Sequence, residues 1–390
     1  MISLPPLVTM GPTLTREQLQ RYSRHLLLPG VETSGQRRLL NARVCVVGAG
    51  GLGSPALLYL AAAGVGHLTV IDHDVVEVSN LQRQVLHRQA GVGRPKAESA
   101  RDALVELNPG IEVLARSVEV RPDTVAELLA GHDVVVDGTD NFATRYLVND
   151  ACQQMSLPLV WAAVLRYDAQ VATFLPSSVV PAEQAVQLRD LFPVQPAPEA
   201  APSCAEAGVL GALCGQVGSI MASEVIKLVT GVGEPLAGRV LVIDVAGMRT
   251  REIPLRSNPD RPARGEPAPS AMDGRTRPRS MARHPSGVPT MTPTEVDSDR
   301  SSVTVIDVRE PWEHELGTVP GARRVPLDEL LTWHSLGEVE ALPVVITCKT
   351  GPRAERAAAH LTSLGHRDVR LLAGGMLGWI DSVDPSLPRY

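Results

Sequence analysis

The stretch ARVCVVGAGGLGSPALLYLAAAGVGHLTVIDHD, Ala42 to Asp74, decides the fold of the front of the chain. RVCVV is a continuous apolar run, the pattern of a strand buried on both faces of a parallel sheet. Gly48, Gly50 and Gly53 follow in G-x-G-x-x-G spacing, with Gly51 extra, and open an apolar helix predicted from Ser54 to Ala63. A second strand, HLTVID, ends in Asp72. Strand, glycine turn, helix and strand together predict an α/β fold with a doubly wound, Rossmann-like sheet. A nucleotide phosphate would sit at the helix N-terminus and a ribose at Asp72. On the glycines alone the default ligand is a nicotinamide dinucleotide.

The residues that follow favour a triphosphate. DHDVVEVSNLQRQVLHRQAGVGRPKAES supplies Asn80, Arg83 and Gln84, then Lys96. A dinucleotide pyrophosphate is held mostly by backbone N–H groups. A triphosphate and its departing pyrophosphate need fixed positive charge. HDVVVDGTDNFATR reads as another buried strand ending in Asp137, followed by Asp140 and Asn141. In a doubly wound sheet such a strand end opens onto the ligand crevice. A carboxylate there suits Mg2+, which takes one or two carboxylates plus phosphate oxygens, so Asp140 is the candidate metal ligand. Singly, Arg83 and Lys96 are ordinary solvated charges and Asp140 is ordinary turn chemistry. As a set they fit one ATP site.

The other end of the chain carries a different chemistry. In ITCKTGPRAERAAAHL, Ile346 to Leu361, Cys348 follows the strand-like LPVVIT and precedes a helix expected from about Arg353 to Gly365. A thiol facing a helix N-terminus is shifted toward the nucleophilic thiolate. A lone cysteine is more often a small buried hydrophobe, but Gly351 and Arg353 at fixed distances make Cys-x4-Arg an anion-cradling loop. Cysteine phosphatases use a ring one residue longer. The shorter ring fits one extra sulfur atom, as in the rhodaneses, which this segment resembles. VIDVREPWEHELGTVPGARRVPLDEL matches their opening, with Asp307, Arg309 and Glu310. LLAGGMLGW matches their closing Gly-Gly-x-x-x-Trp, ending at Trp379. Thr318 stands where the family usually has histidine, and Pro352 removes one N–H from the loop.

The 390 residues, 44% of them hydrophobic, allow two to three globular domains. A formal charge of −6 leaves no footprint for nucleic acid or an anionic membrane. Five irregularly spaced cysteines argue for a reducing compartment. With no signal-peptide pattern and no uninterrupted apolar span, the expectation is a cytoplasmic protein. RSNPDRPARGEPAPSAMDGRTRPRSMARHPSGVPTMTP, Arg256 to Pro293, lacks the large apolar residues a core needs. It reads as a linker with a root-mean-square reach of roughly 30–40 Å. The expected organisation is a nucleotide domain over 1–255, a linker over 256–293 and a smaller α/β rhodanese domain over 294–390. A Pro-rich run from Leu175 to Ser203 reads as a mobile loop inside the first domain. Cys45, Cys152 and Cys214 read as core.

GAGGLG, D-x-D…SNLQRQ, G-x-x-K, DGTDN and CAEAG occur here in one order. That order resembles the ubiquitin-activating-type adenylyltransferases, closest to the molybdopterin-synthase adenylyltransferase (MoeB/ThiF-like) group. With the rhodanese behind it, the whole chain resembles the MoeZ-type adenylyltransferase/sulfurtransferases, over Leu14 to Met248 and Ser302 onward. The resemblance implies Gly51 at the phosphates, Asp72 at the ribose, and Ser79, Asn80, Leu81, Gln82, Arg83 and Lys96 at the triphosphate. Asp140, with Asn141, would handle Mg2+. Arg24 would reach the nucleotide of a neighbouring subunit, so a homodimer is implied.

The implied substrate is a ubiquitin-like sulfur-carrier protein ending in Gly-Gly. ATP would adenylylate its terminal carboxylate, and a Cys348 persulfide would convert it to a thiocarboxylate. The sulfur would come from thiosulfate or a cysteine-desulfurase persulfide. Cys204 would resolve the acyl disulfide, hold a thioester or be merely structural. The family's two zinc-binding Cys-x-x-Cys pairs are replaced here by Gln187 with Asp190 and Arg261 with Arg264, so no zinc is expected. The competing readings are a nucleotide-binding oxidoreductase fused to a phosphatase-like module, and a scaffold with a non-catalytic rhodanese.

Overall fold

The computed structural model describes residues 4–195, 208–258, 288–335 and 343–389. They fall in two compact units, within Met1–Ser270 and Ala271–Tyr390. The first holds an eight-stranded sheet. Its strands are β1 (Arg43–Val47), β2 (His67–Ile71), β3 (Glu112–Arg116), β4 (Val134–Asp137), β5 (Leu159–Leu165), β6 (Asp168–Phe174), β7 (Arg239–Asp244) and β8 (Arg249–Pro254). Their order is β3-β2-β1-β4-β5-β6-β7-β8. β3 through β5 are parallel and β5 through β8 antiparallel.

The apolar run in β1 is explained by cover on both faces. Val44 and Val46 pack into one core cluster, Cys45 and Val47 into another, as strand alternation requires. The chain runs outward from β1 to β2 and β3, then returns to place β4 on the other side of β1. That reversal creates a crevice at the carboxyl ends of β1 and β4, where an open α/β sheet binds its ligand. The backbone is tight there. Gly48 has φ +91°, and a Cβ on it would lie 2.9 Å from the Gly138 carbonyl oxygen beyond β4. A Cβ on Gly53 would lie 1.8 Å from the Gly48 oxygen, so only glycine lets the Gly53–Ala63 helix start so close to β1.

The Gly211–Thr230 helix packs against the Gly53–Ala63 helix. It is long and apolar enough to cross a membrane by composition, yet 56% of its apolar window is buried within the fold. Its Glu224, fully buried, accepts hydrogen bonds from Thr173 Oγ1 (2.7 Å) and the Leu236 N–H (2.6 Å) and pairs with Lys227 (2.6 Å). These partners offset the cost of burying the carboxylate.

The second unit has five parallel strands in the order β11-β10-β12-β13-β9. They are β9 (Thr290–Met291), β10 (Thr304–Asp307), β11 (Arg323–Arg324), β12 (Val344–Thr347) and β13 (Val369–Leu372). β9 lies inside the stretch that composition reads as linker. Two residues among prolines carry no periodicity, and only pairing with β13 makes them a strand. The Pro352–Ser363 helix follows β12 through the cysteine loop, with Pro352 in its first turn. A missing N–H costs nothing at that position.

Candidate active sites

The carboxyl ends of β1, β2 and β4 open on a cavity of about 610 Å3. Gly51, Asp72, Arg83, Lys96, Asp140 and Asn141, all singled out from sequence, line it together. The glycine turn presents free donors, since neither the Gly50 nor the Gly51 N–H has a partner among the described residues. Asp72 helps shape this turn. Its Oδ2 accepts the Ala49 N–H at 2.8 Å and its Oδ1 the Asp74 N–H at 2.9 Å. Each oxygen keeps a second lone pair for a ligand hydroxyl.

The Lys96 side chain is only 8% exposed and its Nζ pairs with Asp74 at 2.9 Å. This lysine is therefore held as a fixed cation, not a swinging surface charge. Asp140 is exposed and has no hydrogen bond or ion pair among the described residues, which leaves both carboxylate oxygens available as hard donors. That suits Mg2+, which takes one or two carboxylates alongside phosphate oxygens. Donor atoms of Asp72, His73 and Asp74 also lie within 4.8 Å of one another. There the Asp72 oxygens already hold amides and Asp74 holds Lys96. Asn141 caps the Phe142–Met155 helix, accepting the Thr144 N–H at 2.9 Å.

Other sequence candidates stand apart. Arg24, Ser79, Asn80, Leu81 and Gln82 do not line the cavity. Asn80 is buried and its side chain accepts the Glu77 N–H at 3.2 Å. A Cβ on Gly211 would lie 2.2 Å from the Gln82 carbonyl, so this segment braces the start of the long helix. Cys204, Arg261 and Arg264 lie outside the described residues.

The cavity also recruits Gln84, which the sequence names beside Arg83, and Arg145 and Cys214, which pattern reading did not assign to it. Gln84 Oε1 and Arg145 Nε are buried without a hydrogen-bond partner. Cys214 was read as core and is indeed buried, but it also forms cavity wall, its Sγ 3.1 Å from where a Gly51 Cβ would stand. Burial pushes the Cys45 thiol up to about 12 and the Cys152 thiol well above the ordinary thiol range. Neither is a nucleophile at neutral pH.

The second site is the loop between β12 and the Pro352–Ser363 helix. Cys348 is 1% exposed, and its Sγ accepts the Gly351 N–H at 3.1 Å. Arg353 makes a two-pronged ion pair with the buried Glu313, at 2.5 and 2.8 Å. Beside it, Arg309 is fully buried and grips Asp307 through Nε (2.9 Å) and Nη2 (2.6 Å). Thr318, at the usual histidine position, donates to the same Asp307 carboxylate at 2.8 Å. The loop thus rests on a desolvated network of charges, which fixes its shape.

The ThiF family model matches residues 22–263, and the Rhodanese-like domain model matches residues 292–382. The chain belongs to the ThiF family. Along its full length this ThiF-type chain is 43% identical to the probable adenylyltransferase/sulfurtransferase MoeZ of Mycobacterium tuberculosis, spanning 99% of that protein. It is 38% identical to adenylyltransferase and sulfurtransferase MOCS3 of Drosophila sechellia, over 97% of this chain and 86% of that one. Its front module is 49% identical over 257 residues to SAMP-activating enzyme E1 of Haloferax volcanii, covering 66% of this chain and 93% of the relative. In fold it is similar to the Microcin C7 biosynthetic enzyme MccB, with a TM-score of 0.55 and 22% identity over 63% of this chain and 75% of MccB. A ThiF module followed by a rhodanese makes the chain an enzyme of the adenylyltransferase/sulfurtransferase type.

Proposed function

We propose that the protein activates the C-terminal Gly-Gly carboxylate of a ubiquitin-like sulfur-carrier protein with ATP, then converts it to a thiocarboxylate with sulfur carried on Cys348. A carboxylate oxygen of the carrier attacks the α-phosphorus, the bond to the β-phosphate breaks, and acyl-adenylate and pyrophosphate result. Arg83 and Lys96 neutralise charge on the leaving pyrophosphate, and the Gly50 and Gly51 N–H groups orient the phosphates. Asp140 would hold a Mg2+ ion, which when bound would supply further charge neutralisation.

The terminal sulfur of a Cys348 persulfide, loaded from thiosulfate with release of sulfite or from a desulfurase persulfide, attacks the acyl carbon and AMP leaves. A second thiol, Cys204, breaks the resulting acyl disulfide. The thiocarboxylate departs and a Cys348–Cys204 disulfide remains for a cellular thiol to reduce. Arg24, exposed and not among the residues lining this chain's own cavity, acts on a partner subunit's nucleotide in a homodimer.

The observation that carries this reading is the joining, in one chain, of a cavity that gathers Gly51, Asp72, Arg83, Lys96 and Asp140 with a Cys-x4-Arg loop whose amide meets the thiol. The test is to incubate the protein with ATP, Mg2+, thiosulfate and Gly-Gly carriers, and to weigh the carrier. Exchange of one carboxylate oxygen for sulfur, dependent on ATP, is expected. Unchanged carrier mass with every candidate would overturn the assignment.

A further inference from the structure

The glycine turn owes its orientation to a residue that the nucleotide reading does not use. His87, 5% exposed, lies beneath the turn in the segment between Arg83 and Lys96. Its Nε2 is 2.9 Å from the Ala49 carbonyl oxygen and its Nδ1 is 3.0 Å from Ser99 Oγ on the Lys96–Leu107 helix. A carbonyl can only accept, so Nε2 carries the proton and Nδ1 accepts from the Ser99 hydroxyl. Desolvation, and behind it the charge of Lys96, lowers the His87 pKa, in keeping with this neutral form. Ser54 Oγ donates to the same Ala49 oxygen at 3.1 Å, and the Ala49 N–H is held by Asp72.

The geometry of the peptide bond gives these contacts a consequence. In a trans peptide the C=O of one residue and the N–H of the next point in opposite directions. No peptide bond in the described chain is cis. Pulling the Ala49 oxygen down onto His87 and Ser54 therefore turns the Gly50 N–H up, toward the cavity that Gly50 lines, where it has no partner among the described residues. Glycine at 50 would otherwise let this peptide rotate freely.

We propose that His87 is a positioning residue for nucleotide binding: its Nε2–H fixes the Ala49–Gly50 peptide so that the Gly50 N–H is preset as a phosphate donor, and Ser99 holds the imidazole in the required tautomer. This rests on the ATP reading above. It predicts an effect confined to the phosphates, because the cavity wall left for base and ribose comes from other segments, Val118 to Pro122 after β3 and Asp72.

The test compares the full-length wild-type protein with His87→Leu, which fills the space without a donor, and His87→Gln, whose side-chain amide can keep a donor to Ala49. Binding of ATP and of adenosine is measured by competition, together with KM and kcat for carrier-dependent pyrophosphate exchange. His87→Leu should weaken ATP binding about tenfold while adenosine binding stays unchanged, since one oriented donor to an anion is lost. His87→Gln should recover most of the loss, and Ser99→Ala should show a smaller loss of the same kind.

Equal losses for ATP and adenosine, with no recovery in His87→Gln, would reduce His87 to a core residue and overturn the proposal. So would unchanged ATP affinity in His87→Leu. A wild-type protein that binds adenosine and ATP equally would overturn the triphosphate reading itself, and the role of His87 with it. Should His87→Leu fail to fold, His87→Gln and Ser99→Ala still decide the matter through the ATP-to-adenosine ratio.

Discussion

Asp140 and Arg353 are both polar residues at motif positions, yet their surroundings differ. Asp140 has no hydrogen-bond or ion-pair partner among the described residues and stands in the cavity. Replacing it with alanine should leave the fold intact and lower carrier-dependent pyrophosphate exchange by about 10²–10³-fold. Exchange at the wild-type rate would remove Asp140 from the metal site. Arg353 is committed to Glu313, whose side chain is only 3% exposed. Removing Glu313 takes a two-pronged, charge-assisted partner from Arg353, at a cost of about 1–3 kcal/mol. Glu313→Ala should therefore lower the denaturation midpoint of the second unit as well as sulfur transfer, and an unchanged midpoint would contradict the geometry.

Sequence could place both residues, since spacing fixes a motif. It could not show that the Arg353 guanidinium is occupied, because Glu313 arrives from a helix 40 residues earlier. The thiols divide in the same way. Brief alkylation of the native protein should spare Cys45 and Cys152, whose thiolates burial suppresses, and peptide mapping would check this. Cys214 read as core because an apolar helix pattern says nothing about which glycine it faces.

At the scale of elements, the strand and helix pattern around the glycine turn was legible, because a parallel sheet covered on both faces demands unbroken apolar runs. The Pro-rich run from Leu175 was less so. Its described part contains a Leu188–Leu191 helix with a capping box between Gln187 and Asp190. Asp190 Oδ2 accepts the Gln187 N–H and its Oδ1 accepts the Asn258 N–H, both at 2.8 Å. Arg189 pairs with Asp150 at 2.6 Å and lies over the Tyr146 ring at 4.8 Å.

Asp190 thus ties the segment before residue 196 to the segment before residue 259, at one of the positions where zinc-bearing relatives were expected to carry cysteines. Such a tie is invisible in sequence because its two ends are 68 residues apart. Asp190→Ala should cost about 1–2 kcal/mol of stability and speed hydrogen exchange at the Asn258 amide. Unchanged exchange at Asn258 would show that the tie carries no stability.

At the scale of the whole molecule, two folded units divide two chemistries. The described residues that line the nucleotide cavity belong to the first unit, and those of the Cys348 loop with its charge network belong to the second. Both folds were legible in the sequence, from GAGGLG and from CKTGPR with its flanking strands. What links them was legible only as composition. The division makes the half-reactions separable. The decisive measurement is carrier mass after incubation of Cys348→Ala with ATP and thiosulfate, with and without excess sulfide, alongside pyrophosphate exchange. The variant should exchange pyrophosphate like the wild type, make no thiocarboxylate from thiosulfate, and make it again when sulfide attacks the acyl-adenylate directly. Thiocarboxylate formed from thiosulfate at the wild-type rate would contradict the account, because Cys348 would then not be the sulfur donor.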